Sequence, residues 1–176
     1  MLQDTTENSG CGCARSGSRA IETLPDEALI DHILHRYHQA HREELPGLIQ
    51  LARIVEDAHS ADPAVPAGLG LLLKEIQLEL EAHMAKEEHV LFPLMLSGGH
   101  PLIAQPIDMM RADHDDHGDL LRRLENLIAT CALPEKACGT WTTLYAGVDK
   151  LIADLRQHIA LENNVLFPRF ENRKEA

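Results

Sequence analysis

Beyond residue 25 the chain alternates long segments of helical periodicity with short stretches of Pro, Gly and small polar residues. In residues 67–96 a stripe recurs in steps of four and three through Leu69, Leu73, Ile76, Leu80, His83, Glu87, Val90 and Leu94. The same rhythm in residues 135–171 gives Leu144, Val148, Leu151, Leu155, His158, Glu162 and Leu166. That spacing places side chains along one face of a helix. Residues 26–59 open at Pro25 and Asp26 and carry Leu34, Leu45, Leu48, Ala52 and Val55, and Pro46 within them predicts a kink. A further helix is expected over 101–131, between SGGHP and CALPEKA, with SADPAVPAG as the first connection. Pro93 and Pro168 fall near helix ends, where they kink or stop the last turn. Four long segments with short connections and these seams predict an all-α fold, an antiparallel up-down-up-down four-helix bundle.

Two polar pairs interrupt the apolar stripes. HMAKEEHVLFP begins at His83 and HIALENNVLFP at His158, so each half of the chain sets a histidine and, four residues on, a glutamate into core positions. Residues four apart lie one turn apart on one face, and both pairs therefore aim inward. Burying a lone carboxylate costs several kcal/mol or forces it to protonate, and two carboxylates facing each other are worse, so a positive charge is expected between them. Counting from the turns puts His38 and His114 at about the same height as His83 and His158, at about 1.5 Å of rise per residue. Four imidazoles and two carboxylates exceed what one tetrahedral zinc needs, and mixed nitrogen and oxygen donors suit iron ahead of manganese or zinc. The expected arrangement is a di-iron centre bridged by Glu87 and Glu162. His38, His83, His114 and His158 would be terminal ligands, with open positions for exogenous small molecules such as nitric oxide or oxygen.

His41 and His117 each follow a candidate ligand by three residues and are expected to support it from outside, or otherwise to be extra ligands. His59 lies about 31 Å along the helix from His38 by the rise per residue, too far to share its metals. Glu79 and Asp113 neighbour the candidate ligands and are read either as lining an access path or as solvated surface.

Composition narrows the partners. The formal charge of -12, from 28 acids against 16 bases, excludes a phosphate backbone or an anionic membrane as partner. No apolar run has the length of a membrane span and no signal-peptide pattern opens the chain, so the cytoplasm is expected. Cysteines 11, 13, 131 and 138 are then thiols. Residues 1–25, with Cys11-Gly12-Cys13, read as a flexible tail ahead of one domain over 26–172. The tail is expected to be inert, or otherwise a redox or metal-handover arm.

Four ordered segments, YHQAHREELP, HMAKEEHVLFP, ADHDDHG and HIALENNVLFPR, resemble the hemerythrin-like domain of the Repair of Iron Centres family over about residues 26–170. The resemblance implies a non-haem di-iron protein that restores iron-sulfur clusters damaged by nitrosative or oxidative stress, acting as iron donor to damaged iron-sulfur proteins. Oxygen-carrying hemerythrins place a second histidine where this chain has Gly118, so the likeness to them is weaker. Family members usually carry an N-terminal domain with adjacent cysteines, whereas this sequence offers the short tail. Two other functions stay open on the residues alone: a di-iron enzyme reducing nitric oxide or peroxide, and a reversible carrier or sensor of oxygen or nitric oxide.

Overall fold

The computed structural model describes residues 20–98 and 100–171. The N-terminal residues 1–19, with Cys11 and Cys13, lie outside the described residues. Four helices make the bundle. α1 runs Asp26–Ile33, widens through a π-helical turn at Leu34–His38 and continues as Gln39–Ala58. α2 runs Leu69–Lys86, widens at Glu87–Leu91 and ends with Phe92–Leu96. α3 spans Ala104–Thr130. α4 runs Gly139–Leu161, widens at Glu162–Leu166 and ends with Phe167–Glu171. α1 packs against α2 and α4, and α2 against α3, which closes the antiparallel bundle expected from the seams.

The wide turns in α2 and α4 have a common cause. Phe92 N–H donates to the Glu87 carbonyl and Phe167 N–H to the Glu162 carbonyl, one residue further back than in an α-helix. Pro93 and Pro168 follow directly, and a proline neither donates a hydrogen bond nor tolerates the carbonyl four residues before it. An extra residue in the preceding turn relieves that clash, and such insertions recur at functional sites. The third wide turn ends at His38, with Gln39 N–H bonded to the Leu34 carbonyl. α1 continues as helix through Pro46, so the departure from regular geometry lies at Leu34–His38.

The inserted residue shifts the stripe. Val90 is 50% exposed and Leu94 only partly covered, while Leu91 and Met95 take the inner positions expected for them. In α1, likewise, Leu34 is half-buried and Ile33 and Tyr37 face the core. Upstream of the wide turns the stripes hold: Leu69, Leu73, Ile76, Leu80, Leu144, Val148, Leu151 and Leu155 are all buried.

Apolar packing forms two clusters. One, from Leu45 and Leu73 to Trp141 and Leu155, fills the length of the bundle toward the 59–68 and 131–138 connections. The other gathers Leu29, Ile33, Phe92, Ile107, Phe167 and Phe170 at the opposite end. Ile21 and Leu24, within the stretch read as tail, pack against this second cluster, and Arg169 donates to the Glu22 and Leu24 carbonyls. Each fully buried Leu or Phe contributes about 1.5–3 kcal/mol. Between the clusters lies a layer that is buried but polar. Among the described residues no helix is long and apolar enough to cross a membrane.

Candidate metal centre

His38, His83, Glu87, His114, His158 and Glu162, the six residues singled out in the sequence, meet in that layer, each at most 4% exposed. They form two tetrads. In one, donor atoms of His38, Glu87, His158 and Glu162 lie within 4.8 Å of one another; in the other, those of His83, Glu87, His114 and Glu162 do. Both glutamates belong to both groups, as residues standing between two centres must. The turns explain the placement: π-helical turns begin at Glu87 and Glu162, and the one in α1 ends at His38.

The imidazoles point the same way. His38 and His158 approach Nε2 to Nε2 at 3.2 Å, as do His83 and His114. Outward, His38 Nδ1–H donates to Glu88 Oε1 at 2.8 Å, His83 Nδ1–H to Asp113 Oδ2 at 3.2 Å and His114 Nδ1–H to Asn163 Oδ1 at 3.0 Å. Because these partners accept, the proton sits on Nδ1 and the Nε2 lone pair faces inward, the tautomer of a metal-binding histidine. The acceptors are themselves held: Arg42 donates to Glu88, Lys86 to Asp113 and Arg111 to Asn163.

The carboxylates complete the donor set. Glu87 Oε2 lies 3.3 Å from His38 Nε2 and 3.4 Å from His83 Nε2, yet among the described residues neither Glu87 oxygen has a hydrogen-bond partner. Glu162 Oε2 lies 3.1 Å from His114 Nε2, likewise without a well-directed hydrogen bond among the described residues. Donors aimed at a shared point produce this pattern, and donors aimed at each other do not. Two ligands at right angles on an ion about 2.1 Å away lie about 3 Å apart, the separation of these imidazole nitrogens. The residues therefore fit two cations held by nitrogen and carboxylate oxygen.

Protonation follows burial. Burial lowers His38 to about 4 and His83 to about 3, which leaves both neutral and able to bind a metal at neutral pH. Burial, with the facing Glu162, pushes the Glu87 carboxyl up. Burial acts the same way on Glu162, but His158 and His114 outweigh it and hold that carboxyl well below its ordinary range. A cation between the two would remove the conflict.

The remaining sequence candidates separate clearly. His41 and His117 are buried beside the tetrads, with ring centroids 5.6 Å from His158 and 4.9 Å from His83. Burial lowers them to about 3 and about 4. His41 Nε2 and His117 Nδ1 lack partners, while His117 also bonds the Glu79 backbone. Asp113 bonds His83; the Glu79 side chain is exposed. His59 sits at the other end of α1 beside Trp141, with Cys138 Sγ 3.4 Å from its Nε2, and joins neither tetrad. Cys131 and Cys138 are free thiols. Sequence reasoning missed Glu88 and Asn163; each directly follows a core glutamate, and a polar residue at that place in both repeats is the signal. It also missed Asp154, buried in α4 and bound by Arg36 and Lys150.

Comparison with known proteins points to a cation-binding domain. The profile of the hemerythrin HHE cation-binding domain matches residues 29–170. Iron-sulfur cluster repair protein YtfE of Citrobacter koseri is 46% identical over 147 residues, which cover 84% of this chain and 67% of the relative. The proteins of the same name from Escherichia coli and Escherichia fergusonii show the same identity over the same shares.

Proposed function

The chain belongs to the hemerythrin HHE cation-binding family, and from that premise we propose that it is an iron-sulfur cluster repair protein whose bundle core holds two iron ions. The observation that carries this reading is the pair of buried tetrads sharing Glu87 and Glu162. His38 and His158 would hold one ion and His83 and His114 the other, with both glutamates as bridges. When bound, the metal pair supplies electrophilic, exchangeable coordination positions. The protein's own part is to keep the imidazoles turned inward, through Glu88, Asp113 and Asn163 on three of them. The two apolar clusters enclose the layer on both sides.

Repair then means delivery of iron to damaged iron-sulfur proteins in the cytoplasm. The 46% identity to proteins named for cluster repair supports a repair role over a gas carrier. Elemental analysis of anaerobically purified protein should give about two irons per chain. The loaded protein should restore an apo or nitric-oxide-damaged iron-sulfur protein with loss of its own iron. One zinc per chain with negligible iron would overturn the metal assignment, and catalytic turnover of nitric oxide with the iron retained would overturn the donor role.

A further inference from the structure

The two halves of the site are related by a repeat of the chain. His38 corresponds to His114, His83 to His158, Glu87 to Glu162, and the outer acceptor Glu88 to Asn163. By the same relation Asp113, which accepts from His83, corresponds to Tyr37. The symmetry breaks there. Tyr37 does not accept a hydrogen bond from His158; it stacks on that ring, with centroids 5.1 Å apart and planes 5° from parallel. His158 Nδ1 is buried without a hydrogen-bond partner among the described residues, alone among the outer nitrogens of the four imidazoles.

We infer that the two cation positions are inequivalent and that the one held by His38 and His158 is the exchangeable one, because His158 has no outer acceptor to orient it. This inference rests on the two-iron reading above. An imidazole whose outer N–H is bound is fixed in tautomer and direction and is the more basic ligand, and losing such a partner typically costs about 10–100-fold in metal affinity. His83 and His114 are both braced in this way. In the other half only His38 is. His158 Nε2 lies 3.0 Å from Glu162 Oε1, one of the carboxylate oxygens that would share its ion. Position adds to this. Tyr37, stacked on His158, also lines a surface cavity of about 490 Å³ together with Gln157 and Leu161, so one aromatic ring separates the unbraced ligand from the outside. The half that is loosely held is also the half whose stacked aromatic ring lines this cavity.

The test is release of iron from anaerobically loaded protein, two Fe(II) per chain, into excess of a coloured ferrous chelator. Wild type should release one ion per chain in a fast phase and one in a phase about 10–100-fold slower. Asp113→Ala removes the acceptor of His83 and should quicken the slow phase while leaving the fast one in place. Tyr37→Asp supplies the missing acceptor and should slow the fast phase. Should that variant fail to fold, Glu88→Ala frees His38 in the same half and should quicken the fast phase only. A single phase carrying both ions, or an effect of Asp113→Ala confined to the fast phase, overturns the inference. Loading to fewer than two ions, seen before any chelator is added, overturns the two-iron reading itself and the inference with it.

Discussion

Replacing Glu87 by leucine should make the metal-free protein more stable and the protein unable to bind its metals. Glu87 is fully buried and both of its oxygens lack hydrogen-bond partners among the described residues. Each unsatisfied buried polar group costs about 1–3 kcal/mol. A leucine of similar size removes that cost and adds apolar burial, although its neighbours include imidazoles, so a net gain of about 2–4 kcal/mol is expected. In a domain of this size each kcal/mol moves Tm by about 2–4 °C, so the variant should melt roughly 5–15 °C above chelator-treated wild type. Circular dichroism melts with and without iron measure both effects: wild type should rise on loading, and Glu87→Leu should not. The sign with pH is also set. Burial and Glu162 raise the Glu87 pKa in the folded state, so the folded protein takes up a proton there as pH falls, and the cost of the buried charge is relieved. The gap between variant and wild type should therefore narrow toward acid pH. A metal-free variant that melts at or below wild type, or one that still binds two irons, would refute the reasoning.

His59→Ala should keep the full iron content, since His59 contacts Trp141 and Cys138 far from both tetrads, whereas His38→Ala should lower it; equal losses by elemental analysis would contradict the geometry. Asp154→Ala should cost about 1–2 kcal/mol in chemical denaturation, because it strands Arg36 while Lys150 keeps Glu44, and both cations face solvent, which screens part of the effect. Burial raises the Asp154 pKa, but the bonds from Arg36 and Lys150 outweigh it and hold it at about 2. Its contribution is therefore complete above the ordinary carboxylate range and disappears as pH falls through about 2, so wild type and variant should converge there.

The bundle and the six inward residues were legible because both depend on periodicity, and a seam of steps four and three either continues or is broken by a polar residue. His83 and Glu87 occupy places where Leu80 and Leu91 show the core continuing on either side. Val90 and Leu94 were misplaced because Pro93 announces an irregular turn without saying where the extra residue goes; only the Phe92-to-Glu87 hydrogen bond locates it. Glu88 and Asn163 could not be assigned from their own helices, since each acts on a histidine of another helix: Glu88 on His38 of α1, and Asn163 on His114 of α3. Asp154 sits in the seam between Leu151 and Leu155, one position off the stripe, where a charged residue reads as the solvated edge.

A layer of six polar side chains in the middle of a core works against folding, and many small metal-binding domains are folded only when loaded. This bundle is arranged differently. The larger apolar cluster takes residues from all four helices on one side of the layer, and the second does so on the other, so cohesion of the helices does not depend on the ions. Three of the imidazoles are held from outside by acceptors that are themselves bound by Arg or Lys, so their directions persist in the empty state. Under the proposed donor role the bundle must survive giving its ions away, ready to be filled again. The same division of labour explains why Glu87 can stay buried and unsatisfied: apolar packing above and below supplies the stability that this one residue removes.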